Sequence, residues 1–414
     1  MKAHPIFQKI KNDFKYSPIE IGFLLFAFSL PFGGVFNSYF LGLSILLLIY
    51  GLVNQSYELK IRLPKKLFSL TFIYLVLLFG IFRTNALATS GNLLLDISLL
   101  VFPILFALTG LKINRKKILY AFVAGCVSSS LLCLLLSAKQ FYFENFESGI
   151  YFYASLSHFL HVGYFSMYLL FSLFAIFLLL IKSDNGKLVF LKILLIIFHL
   201  LMLVLLSTRT SFIALGVIGL AFLISTVFIL KKRMKGLLML VALCILFSLG
   251  LVFLNSKNEN RFDSLLSFFT EKQIDPSSIE SVDARFMVWK SSVQIIQQNF
   301  WVGVGPGNAK AKLKEQFLIN GYTGIAAEGL NAHNEFLQTL IATGVIGFIA
   351  LLLCIFTGVP AAFQQRDFLF VTFTIIIVIN FLTESMLERQ AGVVFFAFFN
   401  SLFVFSKSSK SAVH

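Results

Sequence analysis

The side chains able to do chemistry in this sequence are few, and most of them are basic. His333 stands in Asn331-Ala332-His333-Asn334-Glu335-Phe336, directly ahead of a long apolar run. An imidazole has an unperturbed pKa of about 6.5, so it can take or give a proton near neutrality. Glu328 or Glu335 is close enough in sequence to orient it. Four arginines stand apart from the lysine clusters. Arg83 ends an apolar stretch, and Arg209 sits in Ser207-Thr208-Arg209-Thr210-Ser211 between two more. Arg285 opens a helical repeat, and Arg389 lies near Glu384 and Glu388. A guanidinium stays charged at any working pH and forks onto two phosphate oxygens. Charged groups near membrane depth are costly and are functional candidates by default. Several arginines at one membrane surface suit a diphosphate, although each can also snorkel or pair with a local acid.

Other chemistries find less support. His158 and His161 share one helical face, but the sequence offers no evident third metal ligand nearby. Asp263, Asp275 and Asp283 are scattered, with no paired carboxylates for a divalent ion. The four cysteines, Cys126, Cys133, Cys244 and Cys354, all lie inside apolar runs, which argues against a disulfide framework or a zinc spacing. There is no phosphate loop, no nucleotide fingerprint and no defensible Ser-His-Asp order.

The elements that must hold these groups are membrane helices. Of 414 residues, 58% are hydrophobic, 51 are Phe and only 13% are charged. A soluble domain carries about 25% charged residues. This chain cannot cover a globule with polar side chains, so a soluble enzyme and a disordered tail are both excluded. A crossing needs roughly 20 apolar residues. The expected fold class is all-α, a polytopic transmembrane bundle of about twelve spans. They fall near 19–35, 38–54, 67–82, 93–110, 118–137, 158–181, 188–206, 211–230, 237–254, 336–357, 367–383 and 391–406. The first is not a cleaved signal, because Leu30-Pro31-Phe32-Gly33-Gly34 is a poor cleavage site and another span follows at once.

Basic clusters give the orientation. Lys60, Arg62, Lys65 and Lys66, then Lys112, Arg115, Lys116 and Lys117, then Lys231, Lys232, Arg233 and Lys235 all fall on the side of the N-terminus. The positive-inside rule then places both termini in the cytoplasm. It also accounts for the net charge of +15 without nucleic acid. The expected organisation is spans one to nine over 1–254, one long outer loop over 255–335, and the last three spans with a cytoplasmic tail over 336–414. Within the loop, Phe286, Trp289, Val293, Ile296 and Phe300 recur at helical spacing, which predicts an amphipathic helix lying on the bundle or the membrane surface. Gly303-Val304-Gly305-Pro306-Gly307-Asn308 breaks the chain sharply, and a second helix is expected over 308–319.

Three segments resemble the O-antigen ligase family of bacterial inner-membrane proteins, which also holds O-antigen polymerases and protein O-oligosaccharyltransferases. The first is Ser207-Thr208-Arg209-Thr210-Ser211, with Thr208 where Ser is usual. The second runs from Arg285-Phe286-Met287-Val288-Trp289 to Asn299-Phe300-Trp301-Val302-Gly303-Val304-Gly305-Pro306-Gly307-Asn308. The third is His333-Asn334-Glu335-Phe336-Leu337-Gln338 with Gly344-Val345-Ile346-Gly347. The resemblance covers about 200 to 350 well. The first half agrees only in span count and hydropathy.

The resemblance implies a GT-C-like bundle in the inner membrane with its active site at the periplasmic face. It implies transfer of a glycan from a polyprenyl (undecaprenyl) diphosphate carrier to a sugar of lipid A–core, without nucleotide, metal or other cofactor. Arg209 and Arg285 would then hold the donor diphosphate, and His333 would activate the acceptor hydroxyl. Arg83, Arg389, Asn334 and Glu384 join them as substrate-binding candidates. The expected partners are the lipid-linked donor, the glycan acceptor and membrane lipids. A polymerase extending the glycan on its carrier is the alternative, followed by protein O-glycosylation. A lipid or polysaccharide transporter is the non-enzyme alternative, but no matching pair of broken helices marks the two halves.

Overall fold

A computed structural model describes residues 18–53, 64–84, 95–109, 113–144, 148–180, 186–229, 277, 279 and 281–406. The expected span at 237–254 lies outside these residues, as do Cys244, Asp263 and Asp275. Among the described residues every regular element is helical. In chain order the main helices are α1 (Pro18–Ser29), α2 (Gly34–Val53), α3 (Lys65–Thr84), α4 (Ser98–Thr109), α5 (Arg115–Phe143), α6 (Val162–Leu180), α7 (Gly186–Leu206) and α8 (Arg209–Ile229). They continue with α9 (Ser281–Gln298), α10 (Ala309–Ile319), α11 (Thr323–Glu328), α12 (Glu335–Phe356), α13 (Phe368–Thr383) and α14 (Gln390–Phe405).

Five of these helices, α2, α3, α5, α7 and α12, are long and apolar enough to cross a membrane. Six shorter apolar helices accompany them, on α1, α4, α6, α8, α13 and α14. Each expected span within the described residues falls on one of these helices. Length and composition support five crossings; the count of about twelve goes further than that.

The bundle packs around α14. Its sequence, Gln-Ala-Gly-Val-Val-Phe-Phe-Ala-Phe-Phe, is apolar on all sides, and Gly392 through Val404 are all buried. A helix that is hydrophobic all round belongs in a core. Phe398 meets Phe23 and Phe26 of α1 and Phe102 and Phe106 of α4. Phe395 and Phe399 meet Phe122 of α5, Phe171 of α6 and Phe373 of α13. Many of the phenylalanines are therefore packed core. At one end, Arg115 pairs with Asp367 and lies over the Phe403 ring, 4.2 Å from its centroid.

A second, smaller core joins α9, α10 and α11 through Met287, Val288, Ile295, Leu313, Phe317 and Ile325. Both expected loop helices are present, and α9 carries a second apolar stripe besides the expected one; this second stripe is the one it buries in this core. Met287, Val288, Ser291, Ser292 and Ile295 are buried. Phe286, Trp289, Val293 and Phe300 stay substantially exposed. The two stripes have the same period, so helical spacing alone does not choose between them. Ser291 and Ser292 can enter the core because each hydroxyl donates to a carbonyl one turn back, at 2.8 and 2.7 Å.

The smaller core is locked onto the bundle by backbone. Helix α12 breaks at Gly344, where φ is +65° and ψ is −163°. The break frees peptide groups that an intact helix would use internally. The glycine-rich turn takes them. Val304 N–H donates to Ile341 O at 2.8 Å and Gly305 N–H to Ala342 O at 2.9 Å. In return Val345 N–H donates to Phe300 O at 2.8 Å. A Cβ on Gly303 would stand 2.5 Å from Thr343 N, and one on Gly344 would strike the Trp301 carbonyl.

Candidate active site

The site forms where the loop enters α12 and where α13 passes to α14. His333 has φ of +43°, a left-handed value uncommon for residues other than glycine. Side chains on both segments hold that conformation. Asn331 Oδ1 accepts the His333 N–H at 3.1 Å, and Asn331 Nδ2 donates to Glu388 Oε2 at 2.6 Å. Gln338 donates to the other Glu388 oxygen and accepts the Ala332 N–H at 3.1 Å. Asn334 caps α12 by accepting the Leu337 N–H at 3.1 Å, and donates to Leu382 O at 3.2 Å. Glu335 accepts the Leu387 N–H at 2.7 Å. Segment 331–338 is thus stitched to segment 382–388.

The reactive groups lie on this frame. His333 Nδ1 is 3.2 Å from Glu384 Oε2, and Arg285 Nη2 is 3.8 Å from Glu384 Oε1. Arg285 also donates to Thr383 O at 3.5 Å. The Thr210 hydroxyl lies 3.3 Å from that of Thr383, so the start of α8, with Arg209, reaches the same junction. Thr208 and Ser211, on either side of Arg209, both hydrogen-bond the Ser166 hydroxyl of α6, at 2.7 and 2.9 Å. Threonine at 208 supplies the hydroxyl this contact needs. The His333, Glu384 and Arg285 side chains are 30%, 37% and 41% exposed, so the group opens outward.

The two carboxylates are shifted in opposite directions. Burial pushes the Glu384 carboxyl up, but the hydrogen bond and charge of His333, with Arg285 and His161 behind them, outweigh it and hold Glu384 below the usual carboxylate range. At Glu388 burial wins over the Asn331 hydrogen bond and the charges of Arg389, Lys310 and His333, and its carboxyl is raised. With its proton on Nδ1, His333 donates to an ionised Glu384, and Nε2 carries the lone pair. The arrangement can therefore accept a proton at Nε2, with the Arg285 guanidinium on the far side of Glu384.

The other candidates separate. Arg389 begins α14 next to Glu388 and is exposed. Arg83 is engaged elsewhere, with Nη2 donating to Val302 O at 3.1 Å and Gly303 O at 2.8 Å. The Asn334 side chain is committed to its cap. His158 meets the Ser137 hydroxyl at 3.0 Å, whereas His161 acts on Glu384. Among the described residues no three His, Cys, Asp or Glu side chains come together to hold a metal ion. Asn331, Gln338, Glu388 and His161 enter the site although spacing did not single them out for it. Their roles depend on contacts as far as 57 residues apart, such as Asn331 with Glu388.

Fold and site together define a helical, multi-pass membrane protein with a histidine–carboxylate–arginine cluster at one end of its bundle. Residues 193–352 match the family model described as O-antigen ligase, and this identifies the stretch as an O-antigen ligase family segment. It takes in Arg209, Arg285, the glycine-rich turn, His333 and the Gly344 break. No curated protein matches the chain.

Proposed function

We propose that this protein transfers a glycan from a polyprenyl diphosphate carrier to a sugar hydroxyl of lipid A–core, at the periplasmic face of the bacterial inner membrane. The observation that carries the reading is the fixed imidazole of His333, backed at Nδ1 by Glu384, which also faces Arg285. In this reading the acceptor hydroxyl gives its proton to His333 Nε2 as its oxygen attacks the anomeric carbon. The bond from that carbon to the diphosphate oxygen breaks, and the electron pair leaves with the diphosphate. Charge grows on the leaving group, so Arg285 and Arg209 stabilise the transition state more than the ground state. Attack from the face opposite the diphosphate inverts the anomeric centre. Glu384 fixes the ring and its tautomer, and neutralises the imidazolium that forms. The exposed aromatic edge of α9, Phe286 and Trp289 beside Arg285, offers surface for the lipid-linked donor.

The test is the envelope glycan profile after deletion of the gene and complementation with His333→Ala. Bare core with long polymer still on the carrier in both strains is the expected result. Core capped with a single repeat unit would replace the ligase reading with polymerase. Unchanged lipopolysaccharide with unglycosylated envelope proteins would replace it with protein glycosylation.

A further inference from the structure

A groove on the outer wall of the bundle plays no part in this chemistry. It has a volume of about 260 Å³ and runs along Leu75, Val76 and Phe79 of α3 and Ile346 of α12, with Arg83 and Val302 at one end. The surrounding face of α3 is apolar and open: Phe68, Phe79 and Phe82 are each about 60% exposed. In a chain with membrane-length helices, such a face meets acyl chains.

Arg83 is what makes this more than a lipid-facing crease. Its two contacts, with the Val302 and Gly303 carbonyls, aim the guanidinium without neutralising it. Among the described residues no carboxylate forms an ion pair with it. A guanidinium has five N–H groups. Both hydrogens of Nη2 are used here, which leaves those of Nη1 and Nε. Trp301, beside Val302, is 70% exposed, and an indole in such a position marks the level where hydrocarbon meets headgroups. A cation held at that level, at the end of an apolar groove, complements an amphiphile with an anionic head and a hydrocarbon tail.

We propose that the groove binds one anionic phospholipid of the surrounding bilayer, with its phosphate on Arg83 and one acyl chain along Leu75, Val76, Phe79 and Ile346. A bilayer lipid is favoured over the tail of the sugar donor by position. Thr343, which lines the groove, is eight residues along α12 from Glu335, roughly 12 Å at the helical rise. Arg83 is tied to Val302 and Gly303, which pack at the Gly344 break, the opposite end of this half-helix from the one His333 precedes. The bound lipid would touch α3, the glycine-rich turn and α12 together, and so would brace the lock at Gly344.

Lipid binding in this groove is independent of glycosyl transfer and can be read without an activity assay. The full chain is purified in mild detergent and titrated with phosphatidylglycerol or phosphatidylcholine, and bound lipid is counted by native mass spectrometry. The wild type should hold one phosphatidylglycerol that phosphatidylcholine does not replace. Arg83→Gln should weaken this binding at least tenfold. Because Arg83→Gln also removes contacts to the turn, Leu75→Trp provides the second arm: it fills the groove, leaves the guanidinium in place, and should weaken binding as much. Retention equal to wild type in both variants would overturn the proposal. Displacement of the bound lipid by an equal concentration of a polyprenyl phosphate would overturn the choice of occupant and assign the groove to the donor.

Discussion

The His333 junction and the Gly344 lock sit at the two ends of one half-helix, residues 335–343, and are built in opposite ways. The junction is made of side chains. The contacts among His333, Glu384, Arg285 and Thr383 run from 3.2 to 3.8 Å, and each of the three ionisable groups is about a third or more exposed. The lock is made of peptide groups at 2.8 to 2.9 Å, around glycines with no room for a methyl group. Short motifs in the same stretch of sequence thus do different work. Open, charged and loosely held groups can exchange their partners for a substrate. Backbone ladders closed over glycine cannot, and they fix where the open groups stand.

This contrast can be broken experimentally. The largest effect is expected from His333→Ala, a loss of about 10²–10⁴-fold in transfer rate, the usual worth of a positioned general base. Donor binding and thermal stability should stay near wild type, and a parallel loss of stability would make His333 part of the frame instead. Next is Arg285→Lys, with about a 10²-fold loss, because a point charge cannot replace a planar fork at a developing oxyanion. A near-full rate would remove Arg285 from the diphosphate. Gly344→Ala should act on the other side of the contrast. A left-handed backbone forced on alanine costs about 1–3 kcal/mol before the clash with Trp301 is counted, so the midpoint of thermal unfolding should fall while the rate per folded molecule changes little. A rate loss at unchanged stability would show that the lock takes part in turnover.

The smallest effect is a pH-dependent one at Glu384. Its carboxyl is held below the ordinary range in the folded protein. A depressed folded value means that the stabilisation is present above the unfolded carboxylate range and is lost as pH falls through the folded value. The stability difference between wild type and Glu384→Gln should therefore be small and flat at neutral pH and vanish in strong acid. Because Glu384 is more than a third exposed, salt should reduce the difference further. A difference that grows on acidification would reverse the assigned sign.

What could be read in the sequence followed from local pattern. Apolar length located the helices, and Arg285, His333 and Glu384, chosen by residue type and position, converge in space. Partner choice was less legible. Arg83 and Asn334 have the same residue types as groups that bind substrate, but part of their donor capacity, Arg83 Nη2 and Asn334 Nδ2, goes to Val302, Gly303 and Leu382, contacts set by the fold over long separations. The buried face of α9 was hidden because two apolar stripes share one period, and two serines serve as core residues by bonding back to their own helix. The pairing of Glu388 with Asn331 and Gln338 has no local signature at all.

One consequence concerns modular exchange. The O-antigen ligase family segment ends at residue 352, but the carboxylates that orient and frame His333, Glu384 and Glu388, come from beyond it. Swapping residues 193–352 into a distant homologue would carry over the imidazole and both arginines while leaving behind the acidic half of the cluster. The smallest transplantable unit of this site therefore extends through the connection between α13 and α14, and a chimera cut at 352 should fold its loop yet depend on its host for the orientation of the histidine.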